Sequence, residues 1–110
     1  MNPLSENAVT VLQSRYLLRD ENGLLNETPE QLFRRVSNAV ALAEKKFGGN
    51  PVPVAEQFFE LLSSLRFLPN SPTLMNAGTS RQQLSACFVL PVEDSLEGIF
   101  DTLKYAALIH

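Results

Sequence analysis

The stretch TPEQLFRRVSNAVALAEKKFGG, Thr28 to Gly49, decides the fold class. Thr28 can cap a helix, Pro29 takes the first helical position, and Gln31 stands where its side chain can bond back to the cap backbone. Leu32, Phe33, Val36, Ala39, Val40, Ala43 and Phe47 then recur at helical spacing as one apolar stripe, and Gly48-Gly49 supplies a left-handed stop. Upstream, Ser5 is placed to cap a first helix running to about Leu18, with Glu6 in its first turn and Ala8, Val11, Leu12 and Tyr16 on one side. Arg19 to Gly23 is polar and ends in glycine, which reads as a turn. Downstream, Pro51 and Pro53 flank Val52, and Val54, Phe58, Leu61, Leu62 and Leu65 form a third apolar face ending near Arg66. Residues 1–66 are therefore expected to form a helical region, packed as a small bundle.

From Phe67 the character changes. Phe67 to Gln83 holds prolines, asparagines, Gly78 and several hydroxyls and reads as a long irregular connection, a type of loop that is usually functional or disordered. Leu84 to Leu90 is a short continuous apolar run bounded by Pro91, the pattern of a buried strand. Its period of two would put Ser85, Cys87 and Val89 on one face and Leu84, Ala86, Phe88 and Leu90 on the other. Asp94-Ser95-Leu96-Glu97 is a capping signature, and Leu96, Ile99, Phe100, Leu103, Ala106 and Ala107 carry a last helix with no stop signal before His110. The fold class expected is mainly α, with residues 67–110 as a second unit.

Composition removes several function classes. The 110 residues are 45% apolar and carry a net charge of −3, so there is no basic stripe of the kind a nucleic-acid binder uses. The apolar run Ala86 to Val92 is broken by Pro91 and is far short of the roughly 20 residues that cross a bilayer. Glu6 follows the first residues at once, which is unlike a secretory leader, and a cytoplasmic location is expected. One cysteine, Cys87, and one histidine, His110, exclude an internal disulfide, a thiolate metal cage and a Ser-His-Asp triad within the chain.

Three places retain chemical potential. Cys87 and Ser85 would share a strand face roughly 6 to 7 Å apart, beside the polar loop; alternatively Cys87 is a small buried hydrophobe. The loop Leu68 to Thr79 offers hydroxyls, amides and backbone N–H groups to an anion, or is a proline-stiffened connector. Asp94-Ser95 is first of all a helix cap that can still meet a ligand's hydroxyls. Arg34-Arg35 and Lys45-Lys46 read as a solvated face.

Two blocks together resemble a known family. Phe67-Leu68-Pro69-Asn70-Ser71-Pro72-Thr73-Leu74-Met75-Asn76-Ala77-Gly78, followed by Leu84-Ser85-Ala86-Cys87-Phe88-Val89-Leu90-Pro91-Val92-Glu93-Asp94-Ser95, is similar to the start of the catalytic (large) chain of ribonucleotide reductase, closest to the adenosylcobalamin-dependent class. Leu4 to Ala8 through Arg15-Tyr16-Leu17 fits that family's entry helix. The resemblance implies a helical region (1–66) followed by the start of a ten-stranded α/β barrel (67–110), the latter comprising substrate loop, first strand and interface helix. It implies an oxidoreductase that makes deoxyribonucleotides for DNA synthesis, in which a cysteine thiyl radical takes a hydrogen from the ribose of a ribonucleotide.

By position, Cys87 matches the cysteine that faces the ribose 2′-hydroxyl and ends as half of a disulfide. Ser71 and Thr73 match the loop that meets substrate phosphate, and Ser85 and Ala86 match strand residues beside the ribose. Asp94 and Ser95 match the specificity site for a deoxynucleotide effector near a homodimer interface to which the last helix contributes. Implied partners are the rest of the catalytic subunit and a thioredoxin-like reductant, and the implied cofactor is adenosylcobalamin. The thiyl cysteine, the second disulfide cysteine, the catalytic asparagine and glutamate, the glycine-rich segment and the C-terminal cysteines are expected beyond His110, so the chain is read as an N-terminal fragment or a split piece, inactive alone. The entry helix begins too near Met1 to leave room for an N-terminal nucleotide cone. The competing reading is a non-catalytic helical interaction module with Cys87 buried as a structural residue.

Overall fold

The structure, a computed structural model, describes residues 1–110 and is helical throughout. Its helices are α1 (Glu6–Arg15), α2 (Pro29–Ala41), α3 (Pro51–Ser63), α4 (Ser71–Asn76) and α5 (Leu96–Ile109), with a 3₁₀ segment Leu42–Phe47 between α2 and α3. Ser5 caps α1 by accepting from the Ala8 N–H. Thr28 and Gln31 close the expected capping box, with the Gln31 N–H donating to Thr28 Oγ1 at 3.2 Å and the Thr28 N–H donating to Gln31 Oε1 at 2.9 Å. Gly48 ends the 3₁₀ segment at φ 75°, in the left-handed region that glycine enters freely.

The core lies where α2 meets α3 and the segments flanking them. Leu32, Phe33, Val36, Leu62, Leu74 and Ala77 are buried together with Leu17, and Leu12, Tyr16, Ala39, Phe59 and Leu84 pack against them. Burying side chains of this size stabilises by about 1.5 to 3 kcal/mol each, so this cluster is the main apolar contribution to the fold. The apolar stripe of α2 is only partly used. Val40 is exposed, and Phe47 is 84% exposed because the chain tightens into the 3₁₀ turn after Ala41 and rotates it off the core. Ser37 is fully buried, with an unpartnered hydroxyl, in the wall of the groove between α2 and α3.

Four expectations are corrected. The segment Leu84 to Leu90 forms no strand: the sole β-type pairing in the chain is one bridge between Arg19 and Leu25, in the turn after α1. A strand needs ladder partners for its N–H and C=O groups, and these 110 residues offer 84–90 no neighbouring strand. Cys87 is accordingly exposed rather than a buried structural residue, and Val89 is 95% exposed. The supposedly irregular stretch contains α4, set by Asn70, whose side chain accepts from the Thr73 N–H, and by Pro72 in the first turn. α3 stops at Ser63, and Leu65 turns out at φ 60°, off the apolar face assigned to it.

Arg35 is the fourth. Instead of a solvated face, its guanidinium is held by Glu27 at 2.7 and 3.0 Å and donates to the carbonyls of Ala77 at 2.6 Å and Leu74 at 3.1 Å. The side chains are 12% and 6% exposed. Arg34 does lie outward, against Glu56 and over the Phe59 ring at 3.6 Å. Removing one partner of a buried pair strands the other charge, at a typical cost of about 3 to 5 kcal/mol, whereas an exposed pair contributes about 1 kcal/mol or less. Glu27→Ala is therefore predicted to lower the unfolding free energy by about 3 kcal/mol and Glu60→Ala, which breaks the exposed pair with Arg66, by less than about 1 kcal/mol, as read by urea denaturation.

Candidate functional site

α4 and the segment that follows it form the one place where several of the expected site residues converge. Thr73 is buried, and its hydroxyl donates to the Leu84 carbonyl at 3.1 Å; Asn70 Nδ2 donates to the same carbonyl at 3.0 Å. Asn76 Nδ2 donates to the Gln83 carbonyl at 2.8 Å, and Gln83 Oε1 accepts from the Ser85 N–H at 3.1 Å. Residues 83–85 are thereby strapped along α4. Ser71, Thr73 and Ser85 are brought to one region by amide and hydroxyl side chains that read from sequence as turn formers.

Within that region the hydroxyls differ in what they have left to give. The proton of Thr73 is committed to Leu84, so Thr73 holds the strap in place. Ser71 is exposed at the first turn of α4 and its hydroxyl lies 2.9 Å from the Tyr16 hydroxyl, a contact spanning 55 positions of sequence. Ser85, Ala86 and Cys87 follow on an exposed irregular segment with a bend at Ala86, open to solvent.

Asp94 and Ser95 sit apart from this group, at the start of α5. Ser95 Oγ accepts from the Gly98 N–H at 3.0 Å and is the cap; Asp94 is exposed and makes no side-chain hydrogen bond, which corrects the expectation that both act in capping. Thr102 Oγ1 donates to the Pro91 carbonyl at 2.6 Å, folding residues 91–95 back on α5. The structure thus leaves Asp94 with a free carboxylate beside a helix start. α5 packs extensively on no other helix, and its Leu96, Phe100, Leu103 and Leu108 are exposed.

A groove of about 470 Å³ runs between α2, α3 and the strap, walled by Val36, Val40, Phe58, Leu61, Phe67 and Leu84. Its lining is mostly apolar, with Ser37 and Thr73 the polar members. No helix is long and apolar enough to cross a membrane. Nowhere do three His, Cys, Asp or Glu side chains gather as metal ligands would. Sequence reasoning missed Tyr16, Asn70 and Asn76 as structural parts of the site. The signal available was Asn70-Ser71-Pro72, a helix start in the manner of Thr28-Pro29; Tyr16 was hidden among the apolar positions of α1.

Comparison with known proteins gives this arrangement a family. The model described as "Ribonucleotide reductase, all-alpha domain" matches residues 3–82, and the chain belongs to the ribonucleotide reductase large-subunit family. It is similar to the vitamin B12-dependent ribonucleoside-diphosphate reductases of Mycobacterium tuberculosis (53% identical; 94% of this chain, 15% of the relative) and Thermoplasma acidophilum (41% identical; 97% and 21%). It is also 43% identical to the ribonucleoside-diphosphate reductase large subunit of Danio rerio, over 89% of this chain and 12% of the relative. The chain thus spans between 12% and 21% of the length of these relatives.

The exposure of Cys87 has a direct readout. A thiol this open should react with a maleimide in the native chain at nearly the rate found in denaturant, whereas a thiol in a packed core would be protected by orders of magnitude through the need to unfold. Strong native-state protection would restore the buried reading.

Proposed function

We propose that the chain is the helical entry region and substrate loop of a catalytic subunit that reduces ribonucleoside diphosphates to deoxyribonucleotides. The observation that supports this most strongly is that the family match covers α4, and the residues that resemble the substrate loop are the ones that hold the strap after it. The division into residues 1–66 and 67–110 belongs to this proposal, with α4 in the second part tied to the first through Arg35. In it, the irregular segment 84–90 becomes the first barrel strand when the remainder of the subunit supplies its neighbours.

In this reading Cys87 is one of two thiols that reduce the ribose. The C2′–O bond breaks and the oxygen leaves as water, a hydrogen replaces it on carbon, and the two thiols are oxidised to one disulfide; two electrons and two protons are exchanged. A thioredoxin-like dithiol then re-reduces the pair. Cys87 is the half of the pair on this chain, Ser85 and Ala86 lie beside the ribose, and Ser71 donates to substrate phosphate while Thr73 braces the loop beneath it. Asp94 and Ser95 contact a deoxynucleotide effector, and α5 lies in a homodimer interface. The activity is cytoplasmic.

The relatives' names suggest adenosylcobalamin, which supplies radical chemistry when bound. The residues of this chain do not fit it: the cobalt is held by its own corrin ring, so the protein need supply a cleft wide enough for that macrocycle, and the groove of about 470 Å³ between α2 and α3 is too small for one. Contacts with the cofactor are assigned to the remainder of the subunit.

Two substitutions in the full-length subunit test the reading. Cys87→Ser is expected to abolish multiple turnover supported by a dithiol while leaving the fold intact; full turnover would reject the thiol's role. Asp94→Asn removes the charge from a side chain that caps nothing, so melting should be unchanged while effector affinity falls on the order of tenfold, equal to about 1.4 kcal/mol. Superimposable effector titrations of the two proteins would reject that contact.

A further inference from the structure

We propose that Tyr16 is a positioning residue for substrate phosphate, acting by orienting the Ser71 hydroxyl. The inference rests on the reading of Ser71 as a phosphate donor given above and extends it to a residue on a different helix.

Both ends of the contact are held. Tyr16 is the C-cap of α1, its N–H donating to the Leu12 carbonyl at 2.9 Å, and its ring packs against the buried cluster around Leu17, Leu32 and Phe33. Anchoring the ring fixes where the hydroxyl emerges, because tyrosine has only two side-chain torsions. On the other side, the backbone of Ser71 is set by α4, which Asn70 caps and Arg35 holds at the Leu74 and Ala77 carbonyls. What remains undetermined is the rotamer of Ser71 and the direction of its proton. The 2.9 Å contact with Tyr16 determines the rotamer.

The chemistry of the ligand determines the proton. Phosphate oxygens at neutral pH are essentially acceptors, so a serine that binds them must donate. Ser71 Oγ must then accept from its neighbour, and Tyr16 is the donor: the two hydroxyls point the same way, Tyr16 to Ser71 to phosphate. Consecutive hydrogen bonds with a common direction polarise one another, which strengthens the terminal donor. Phenylalanine at position 16 keeps the ring in the core and removes only the hydroxyl.

The alternative is a plain strut between α1 and α4. A strut affects stability alone, whereas a positioning residue affects substrate affinity. In the full-length catalytic subunit, assayed with a ribonucleoside diphosphate, Tyr16→Phe is expected to raise KM by about three- to tenfold with kcat within about twofold, the pattern of an interaction made equally in ground and transition states. Ser71→Ala should raise KM at least as much, Ser71→Thr should retain most of the affinity, and the double variant should be no worse than Ser71→Ala alone. If Ser71→Ala raises KM and Tyr16→Phe does not, or if the two effects multiply, the inference is overturned while the role of Ser71 stands. If Ser71→Ala leaves KM unchanged, the phosphate reading itself fails and takes the inference with it. Should Tyr16→Phe weaken folding, the cycle is run in a Tyr16→Leu background: little further change in KM on Ser71→Ala is the expected result, and a rise by the same factor as in the Tyr16 protein is the overturning one.

Discussion

The ion pair of Glu27 and Arg35 is the joint on which the arrangement of helices depends. Glu27 lies just ahead of the cap of α2, Arg35 two turns into that helix, and the guanidinium spends its donors on two separate segments, the approach to α2 and α4 with its C-cap. Glu27 takes two of them, the carbonyls of Leu74 and Ala77 take the others, and the second carboxylate oxygen also accepts from the Leu18 N–H at 3.1 Å. Each charged group thus has several hydrogen bonds to offset its desolvation, the condition under which a buried pair is tolerated. Lysine could not reproduce this, since it lacks the planar fork that reaches a carboxylate and two carbonyls at once. The close approach also constrains Gly78: at φ +76°, a Cβ there would lie 2.8 Å from Arg35 Cγ. An ionic contact between α2 and its own approach segment therefore sets the position of α4, and α4 in turn sets the strap that leads to Cys87.

What could be read in the sequence follows the range of the interactions involved. α2 was legible to the residue at its start because cap, proline and returning glutamine are local, and the left-handed Gly48 is equally local. α1 and α5 were legible because Ser5 and Ser95 sit ahead of apolar repeats. α4 was not, because six residues are too few for periodicity to show, although Asn70 and Pro72 mark its start. Arg35 was misread because its carbonyl partners lie 39 and 42 positions away, a separation no local pattern reports. The strand expected at 84–90 failed for a different reason: an apolar run states what a segment would bury, and pairing requires strands that these residues do not contain. Of the candidate site, the membership of Ser71, Thr73 and Ser85 in one region was legible through resemblance, while the use of the Thr73 proton and the reach of Tyr16 needed coordinates.

The surface shows how much of the apolar chemistry is left without a partner. A compact monomer of 12.2 kDa is expected to expose about 6,100 Å² and to have a radius of gyration near 13 Å. The accessible surface here is 8,069 Å² and the radius of gyration 17.5 Å. The segment after Ser85 and α5 contribute to the difference, with Phe88, Val89, Leu96, Phe100, Leu103 and Leu108 all exposed.

The separateness of α5 makes the chain two cooperative units rather than one. Helices of fewer than about 12 to 15 residues are marginal in water without tertiary contacts, and α5, at 14 residues, has no extensive contact with the other helices. Heat should melt it gradually, as a helix–coil equilibrium, while α1 to α4 unfold together around the Glu27–Arg35 joint. Calorimetric and van't Hoff enthalpies of the chain would then disagree, and a single midpoint would describe only the larger unit.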